Sequence, residues 1–279
     1  MFYAYCNLHG VRPEDVAFGF HAIVTDSLIE GPYGLNGGGD GLTARFLARI
    51  RELGGEVLTR KRVTSLKVEN RQIREVLTAD GDSFRGEWVI SSLHPKATMR
   101  LLSDDSIFPP VFKDRLGRIK ESSGIFGLYV ACDEQPELRP DTNSYFFRSN
   151  DPRAMFAAFN PEEPPPVVFL SSPKRRWCGN ESTFPLSLHS PCAYEWFIPY
   201  AGETYGHRSQ GYQKLKDSLA RSLLDTVSLY APDLPGKIRR RTSSTPLTHL
   251  HFNGSEEGSS YGIYHSIQNT GARAAVGPR

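Results

Sequence analysis

Apolar positions recur along the chain with different periods, and the changes of period divide it into regions. After a glycine-rich turn, Leu42, Phe46, Ile50 and Leu53 recur at helical spacing, with Arg45, Arg49 and Arg51 mainly on other faces. Asp40 is placed to cap this helix. Gly54 and Gly55 are placed to stop it, because glycine enters the left-handed C-cap without steric penalty. Glu56 to Leu58 then reads as a strand, a helix-to-strand step of an α/β layer. Val63, Leu66 and Val68 lead to a polar turn at Glu69-Asn70-Arg71, and Ile73, Val76 and Leu77 to a second turn at Asp80-Gly81-Asp82. Trp88, Val89 and Ile90 form a short apolar run, the pattern of a buried strand. It breaks at Ser91-Ser92-Leu93-His94-Pro95, a plausible ligand-facing loop.

From about residue 97 to 211 the pattern is period two. Phe126, Leu128 and Val130 alternate, as do Tyr145 and Phe147. Val167 to Leu170 and the stretch from Leu186 and Leu188 to Phe197 also read as strands. Proline-rich connections such as Pro161-Glu162-Glu163-Pro164-Pro165-Pro166 separate them. The prediction is a mostly antiparallel sheet with aromatic cover. A long helix follows, with Leu215, Leu219, Leu223, Val227 and Tyr230 on one face and Pro232 and Pro235 ending it. The remaining tail is loop-rich.

Composition narrows the class. A chain of 279 residues suggests roughly two domains. Hydrophobic residues at 39% and charged residues at 23% exclude a disordered chain. Lys plus Arg at 33 against Asp plus Glu at 31 leaves a net charge of +2, which argues against a dedicated nucleic-acid binder. No apolar run has the length of a membrane span, and the start Met1-Phe2-Tyr3-Ala4-Tyr5-Cys6 does not read as a secretion signal. The expected location is the cytoplasm or a membrane periphery. The cysteines Cys6, Cys132, Cys178 and Cys192 are scattered and read as reduced thiols.

Local motifs are weak singly. The cluster Gly37-Gly38-Gly39-Asp40-Gly41 precedes a helix, but Leu42 stands where a Gly-x-Gly-x-x-Gly fingerprint needs glycine. A tight turn and a ligand-contacting loop both remain open. His249 and His251 alternate as they would on one face of a strand, with no third ligand at useful spacing, so no metal site is assigned. The basic runs Lys174-Arg175-Arg176 and Lys237-Ile238-Arg239-Arg240-Arg241 suit solvated loops, with contact to an anionic membrane surface as the functional reading. The aromatic group around Tyr194, Trp196, Phe197, Tyr200 and Tyr205 suits a sheet core or a wall for a large apolar substrate.

Taken in order, several segments resemble one family. YGLNGGGDGLTARFLARIRELGGEVLTRKRVTSL and LTADGDSFRGEWVISSLHP are followed by LSLHSPCAYEWF. Tyr212 and Lys214 then open a long helix, and TPLTHLHFNGSEEGSSYGIYHS closes the series. They are similar to the flavin-dependent carotenoid desaturases and isomerases, nearest to the retinol-saturase and carotenoid-isomerase branch. The resemblance covers about residues 15–268.

The resemblance implies FAD as the cofactor of the parent enzyme and a polyene or isoprenoid lipid as its substrate. Desaturation, saturation or isomerisation would follow with hydride exchange at the flavin. It places Val63 against the adenine, Ser91, Ser92 and Leu93 close to the cofactor, and Gly38 and Gly39 near the flavin side of the substrate cavity. Tyr194, Trp196 and Tyr261 would wall that cavity. No catalytic side chain is assigned. The implied fold is mixed α/β: an incomplete Rossmann-like FAD domain over 1–96, an antiparallel-sheet substrate domain over 97–245, and a return toward the FAD domain over 246–279. Family members open with a Gly-x-Gly-x-x-Gly turn and close with a glycine-containing turn near the flavin, and neither motif is present. The chain therefore reads as the interior of a longer flavoenzyme, binding FAD weakly or not at all alone, with exposed strand edges and apolar surface. A separate partner chain could supply the missing segments. A non-catalytic apolar-ligand module and an amine-oxidase-type flavoenzyme are the alternatives.

Overall fold

A computed structural model describes residues 2–31, 33–35, 37–139, 142–155, 159–172 and 183–268. Cys178, the run Lys174-Arg175-Arg176 and the Gly277-Pro278-Arg279 end lie outside the described residues. The chain divides into two compact units. One joins Met1–Leu42 to Glu121–Ile267; the other is Thr43–Lys120 with Gln268–Arg279. The fold is mixed α/β, and both of its described sheets are antiparallel.

In the larger unit the strands are β4 (Gly124–Cys132), β5 (Asn143–Phe147), β6 (Val167–Ser171), β7 (Phe184–Cys192) and β8 (Ile238–Ser244), in the order β5-β6-β7-β4-β8. Alternation assigns the faces. Phe126, Leu128, Val130 and Cys132 of β4, with Leu186 and Leu188 of β7, point into the core. Helix α6 (Gln210–Ser228) covers them with Leu219, Leu223 and Val227, matching the expected face. Tyr230, placed on that face by periodicity, lies beyond the helix end and is exposed, with its ring 4.8 Å from that of Phe146. Helix α1 (Phe18–Ile29) follows a 3-10 segment, Phe2–Leu8, in the same unit, which also holds the short helices α5 (Pro152–Met155) and α7 (Leu234–Lys237).

Two stretches of this unit differ from the periodicity reading. The strand expected to run to Phe197 stops at Cys192, and Tyr194–Tyr200 is a 3-10 helix. Its apolar residues Tyr194, Phe197 and Tyr200 repeat every third position, the period of a 3-10 turn, and all three pack on the core. His249 and His251 lie on helix α8 (Pro246–Asn253), not on a strand. Thr245 and Thr248 form a reciprocal capping box, Pro246 opens the first turn, and Gly254 closes the helix at φ +63°.

The smaller unit holds most of α2 (Gly38–Glu52), then β1 (Val63–Glu69), β2 (Gln72–Thr78) and β3 (Ser83–Phe84), α3 (Pro95–Leu101) and α4 (Pro110–Arg118). Helix α2 begins at Gly38, so Asp40 sits in its first turn and is not its cap. Its end is a Schellman arrangement: Gly54 has φ +77°, and Gly55 N donates to Ile50 O at 2.9 Å. The β1–β2 turn has Asn70 and Arg71 both at positive φ, the two-residue geometry that matches strand twist.

The strands expected at Glu56–Leu58 and Trp88–Ile90 are absent. Neither stretch pairs with a neighbour among the described residues, and an extended segment without a ladder leaves its backbone groups to water. Trp88 is 83% exposed and Ile90 94%.

Candidate functional site

The face of the five-stranded sheet opposite α6 carries an apolar cavity of about 260 Å³. Cross-strand register builds its floor. Tyr145 of β5 lies opposite Phe169 of β6, Phe169 opposite His189 of β7, and His189 opposite Gly127 of β4. The three rings form one row, with centroids 5.0 Å apart for Tyr145–Phe169 and 6.1 Å for Phe169–His189. Ile125, Val167 and Pro191 complete the sheet side. Gly127 stands where a side chain would be crowded. A Cβ there would meet Ser244 Oγ at 2.7 Å, Tyr129 Oη at 3.0 Å and His189 Nδ1 at 3.2 Å.

The far wall is Asn7, Leu8 and Tyr261. Tyr261 is held at three points: its hydroxyl donates to Asn7 O at 3.1 Å, its N–H donates to Ser122 Oγ at 3.0 Å, and its ring packs on Gly10. Gly10 has φ +64°, and a Cβ on it would lie 2.8 Å from that ring. The cavity lining is mainly hydrocarbon. Burial lowers the His189 pKa, and His249 lowers it further, so the imidazole facing the cavity stays neutral at physiological pH. Burial raises the Tyr145 and Tyr261 hydroxyls, which stay protonated. The buried Nδ2 of Asn7 has no hydrogen-bond partner among the described residues. This site can hold a hydrocarbon body and offer a hydroxyl-sized group a hydrogen-bond partner. It places no ionised group over it.

The expected site residues separate into two sets. In the larger unit, Tyr261 lines the cavity. Tyr194 and Trp196 lie in the 3-10 helix and pack on the α6-side core, Trp196 with its ring 5.1 Å from that of Phe159. Gly38 and Gly39 open α2; Gly38 N donates to Leu35 O at 3.0 Å. In the smaller unit, Val63 begins β1 opposite Thr78. Ser91, Ser92 and Leu93 are an exposed loop. Ser91 Oγ lies 2.7 Å from Thr98 Oγ1 of α3, and His94 Nδ1 accepts the Lys96 N–H to cap that helix. Sequence reasoning missed Tyr145, Phe169 and His189 as lining residues. Strand alternation was the available signal, since it puts Phe169 opposite in facing to the core residues Val168 and Leu170.

No protein-family profile matches the chain. The chain is 25% identical over 276 residues to the all-trans-retinol 13,14-reductase of Rattus norvegicus and 26% identical over 276 residues to that of Homo sapiens. Each alignment covers 93% of this chain and 45% of the relative, so the chain spans under half the length of these proteins. Its fold is similar to that of an oxidoreductase from Methanosarcina mazei, with TM-score 0.57 and 15% identity over 88% of this chain and 52% of that one. A Pyrococcus furiosus protein shares the fold at TM-score 0.53 and 14% identity, over 87% of this chain and 53% of that one. Among the described residues no helix is long and apolar enough to cross a membrane.

Proposed function

We propose that this chain forms the substrate-binding part of a flavin oxidoreductase that desaturates, saturates or isomerises a retinoid or related isoprenoid. The observation that carries the reading is the apolar cavity over the Tyr145–Phe169–His189 row. Its volume of about 260 Å³ lies just under the roughly 300–1,000 Å³ range of small-molecule sites, which suits one end of a polyene better than its whole length. A neutral His189 and the Asn7 Nδ2, which has no partner among the described residues, suit a ligand with one hydroxyl on a hydrocarbon body. The likeness to all-trans-retinol 13,14-reductases supports a retinoid over other apolar ligands.

FAD would supply the redox chemistry in such an enzyme. The residues of this chain fit it only in part. Val63 and the exposed Ser91–Leu93 loop can serve as its rim. The chain has no Gly-x-Gly-x-x-Gly turn, and the first turn of α2 carries Asp40, a carboxylate that opposes a phosphate at the helix N-terminus. The chain's own residues bind the substrate end, exclude water from it and align it against the aromatic row. Further polypeptide of the flavin domain, in the same chain or in a partner, would cover the exposed apolar residues of the smaller unit. Extraction after loading tests the reading. The chain, mixed with vesicles containing all-trans-retinol and repurified, is expected to retain retinol extractable by organic solvent. A repurified chain free of retinol contradicts it.

A further inference from the structure

At the N-terminal end of the larger unit the fold brings together three metal-ligand side chains that sequence spacing left apart. Cys6 lies in the 3-10 segment Phe2–Leu8, His9 follows that segment, and His21 lies near the start of α1. The backbone reverses between Cys6 and Gly10, with His9 N and Gly10 N donating to Cys6 O at 3.3 and 3.0 Å. That turn gathers a Cys-x-x-His pair against the helix. All three side chains are buried.

Their ligand atoms are close. His9 Nε2 is 3.0 Å from His21 Nδ1, and Cys6 Sγ is 3.7 Å from the same nitrogen. One donor atom from each residue lies within 4.8 Å of the others. Zinc bonds of about 2.0–2.1 Å to nitrogen and about 2.3 Å to sulfur give tetrahedral edges of about 3.3 Å for N···N and about 3.6 Å for S···N. The two spacings that meet at His21 Nδ1 need only shifts of a few tenths of an ångström to meet those edges, and the third lies within 4.8 Å. His21 Nδ1 is the shared point of the cluster, facing both His9 Nε2 and the Cys6 thiol, as a ligand nitrogen beside two others on one ion would.

We propose that Cys6, His9 and His21 form a zinc site with the fourth position taken by water. On binding, the Cys6 S–H bond breaks, its proton leaves to solvent, and the sulfur lone pair bonds the ion. The imidazoles bind neutral, and nothing is oxidised or reduced. The ion supplies the charge that the thiolate needs in this buried setting. Asn7 and Leu8, which line the cavity, lie between Cys6 and His9, so the ion would fix the cavity wall.

The test uses the full chain, reduced and freed of metal by chelation. Zinc added and then dialysed is expected to remain at one ion per chain. Cobalt in its place is expected to give the thiolate-to-cobalt charge-transfer band in the near ultraviolet. Cys6→Ser and His21→Gln should lose the retained ion, while His207→Gln, on an exposed loop, should keep it. Failure of the folded, reduced chain to retain zinc overturns the proposal, as does equal retention by the folded Cys6→Ser variant. If both variants fail to fold, the intact chain's cobalt spectrum decides: no charge-transfer band overturns it.

Discussion

The two units use the same kinds of local signal and end with different packing. In the larger unit the alternation of β4 and β7 meets the α6 stripe, and Phe126, Leu128, Leu188, Leu223 and Val227 are almost fully buried. In the smaller unit the α2 stripe is equally regular, yet Phe46 is 62% exposed, Leu53 is 70% exposed and no residue of the helix is buried. Glycine and polar signals form the helix and the β1–β2 hairpin with few tertiary contacts. Burial of a stripe needs a second layer, and among the described residues the smaller unit supplies little: Leu66, Leu116 and Ile119 are its buried apolar residues. Periodicity therefore predicts an element, and what it packs against is a separate question.

The largest contrast should come from truncating equivalent positions in the two units. Leu188→Ala or Phe126→Ala should cost about 3–5 kcal/mol, read by urea unfolding of the larger unit. Phe46→Ala should change stability by no more than about 0.5 kcal/mol, because its ring is exposed. A Phe46→Ala cost near that of Phe126→Ala would break the comparison. Next, Gly127→Ala should cost about 1–3 kcal/mol, because its Cβ meets Ser244, Tyr129 and His189. The displaced His189 ring should also show shifted NMR resonances.

Smaller effects belong to the charged edge of the smaller unit. Lys67 foremost, with Ser83 and Arg85, holds the Glu75 carboxyl near 2, down from 4.5. Lys61 foremost, which also bridges Asp82, and then Thr78 hold the Asp80 carboxyl near 2. A carboxylate depressed by folding adds stability above its unfolded value, and that stability is lost as pH falls through the folded one. Amide protection in β1 and β2 should therefore hold down to about pH 4.5 and decline toward pH 2. Protection that rises on acidification would contradict this sign. The smallest effect on stability is expected for Trp88→Ser, which should leave unfolding unchanged and reduce self-association by light scattering.

Much of this architecture is legible in the sequence where one local signal suffices. The Gly54-Gly55 stop, the Asn70-Arg71 turn, the β4 alternation and the α6 stripe are of that kind. The 3-10 helix at Tyr194–Tyr200 was hidden because aromatic residues suit a strand as well as a three-residue period. Helix α8 was hidden behind two alternating histidines, although Thr245, Pro246 and Gly254 carried the helix signal. The cavity is a product of register: Tyr145, Phe169 and His189 meet only once β5, β6 and β7 pair. The Cys6–His9–His21 cluster needed the turn at Gly10 and the start of α1 together.

The central claim is that the aromatic row of the larger unit binds an isoprenoid end. Equilibrium titration of the purified chain with all-trans-retinol, read by retinol fluorescence, tests it most directly. Saturable one-to-one binding is predicted, weakened about tenfold in Phe169→Ala, a loss of about 1.4 kcal/mol. It should be unchanged in Phe46→Ala. No saturable binding, or equal affinity in the Phe169→Ala variant, would contradict the account.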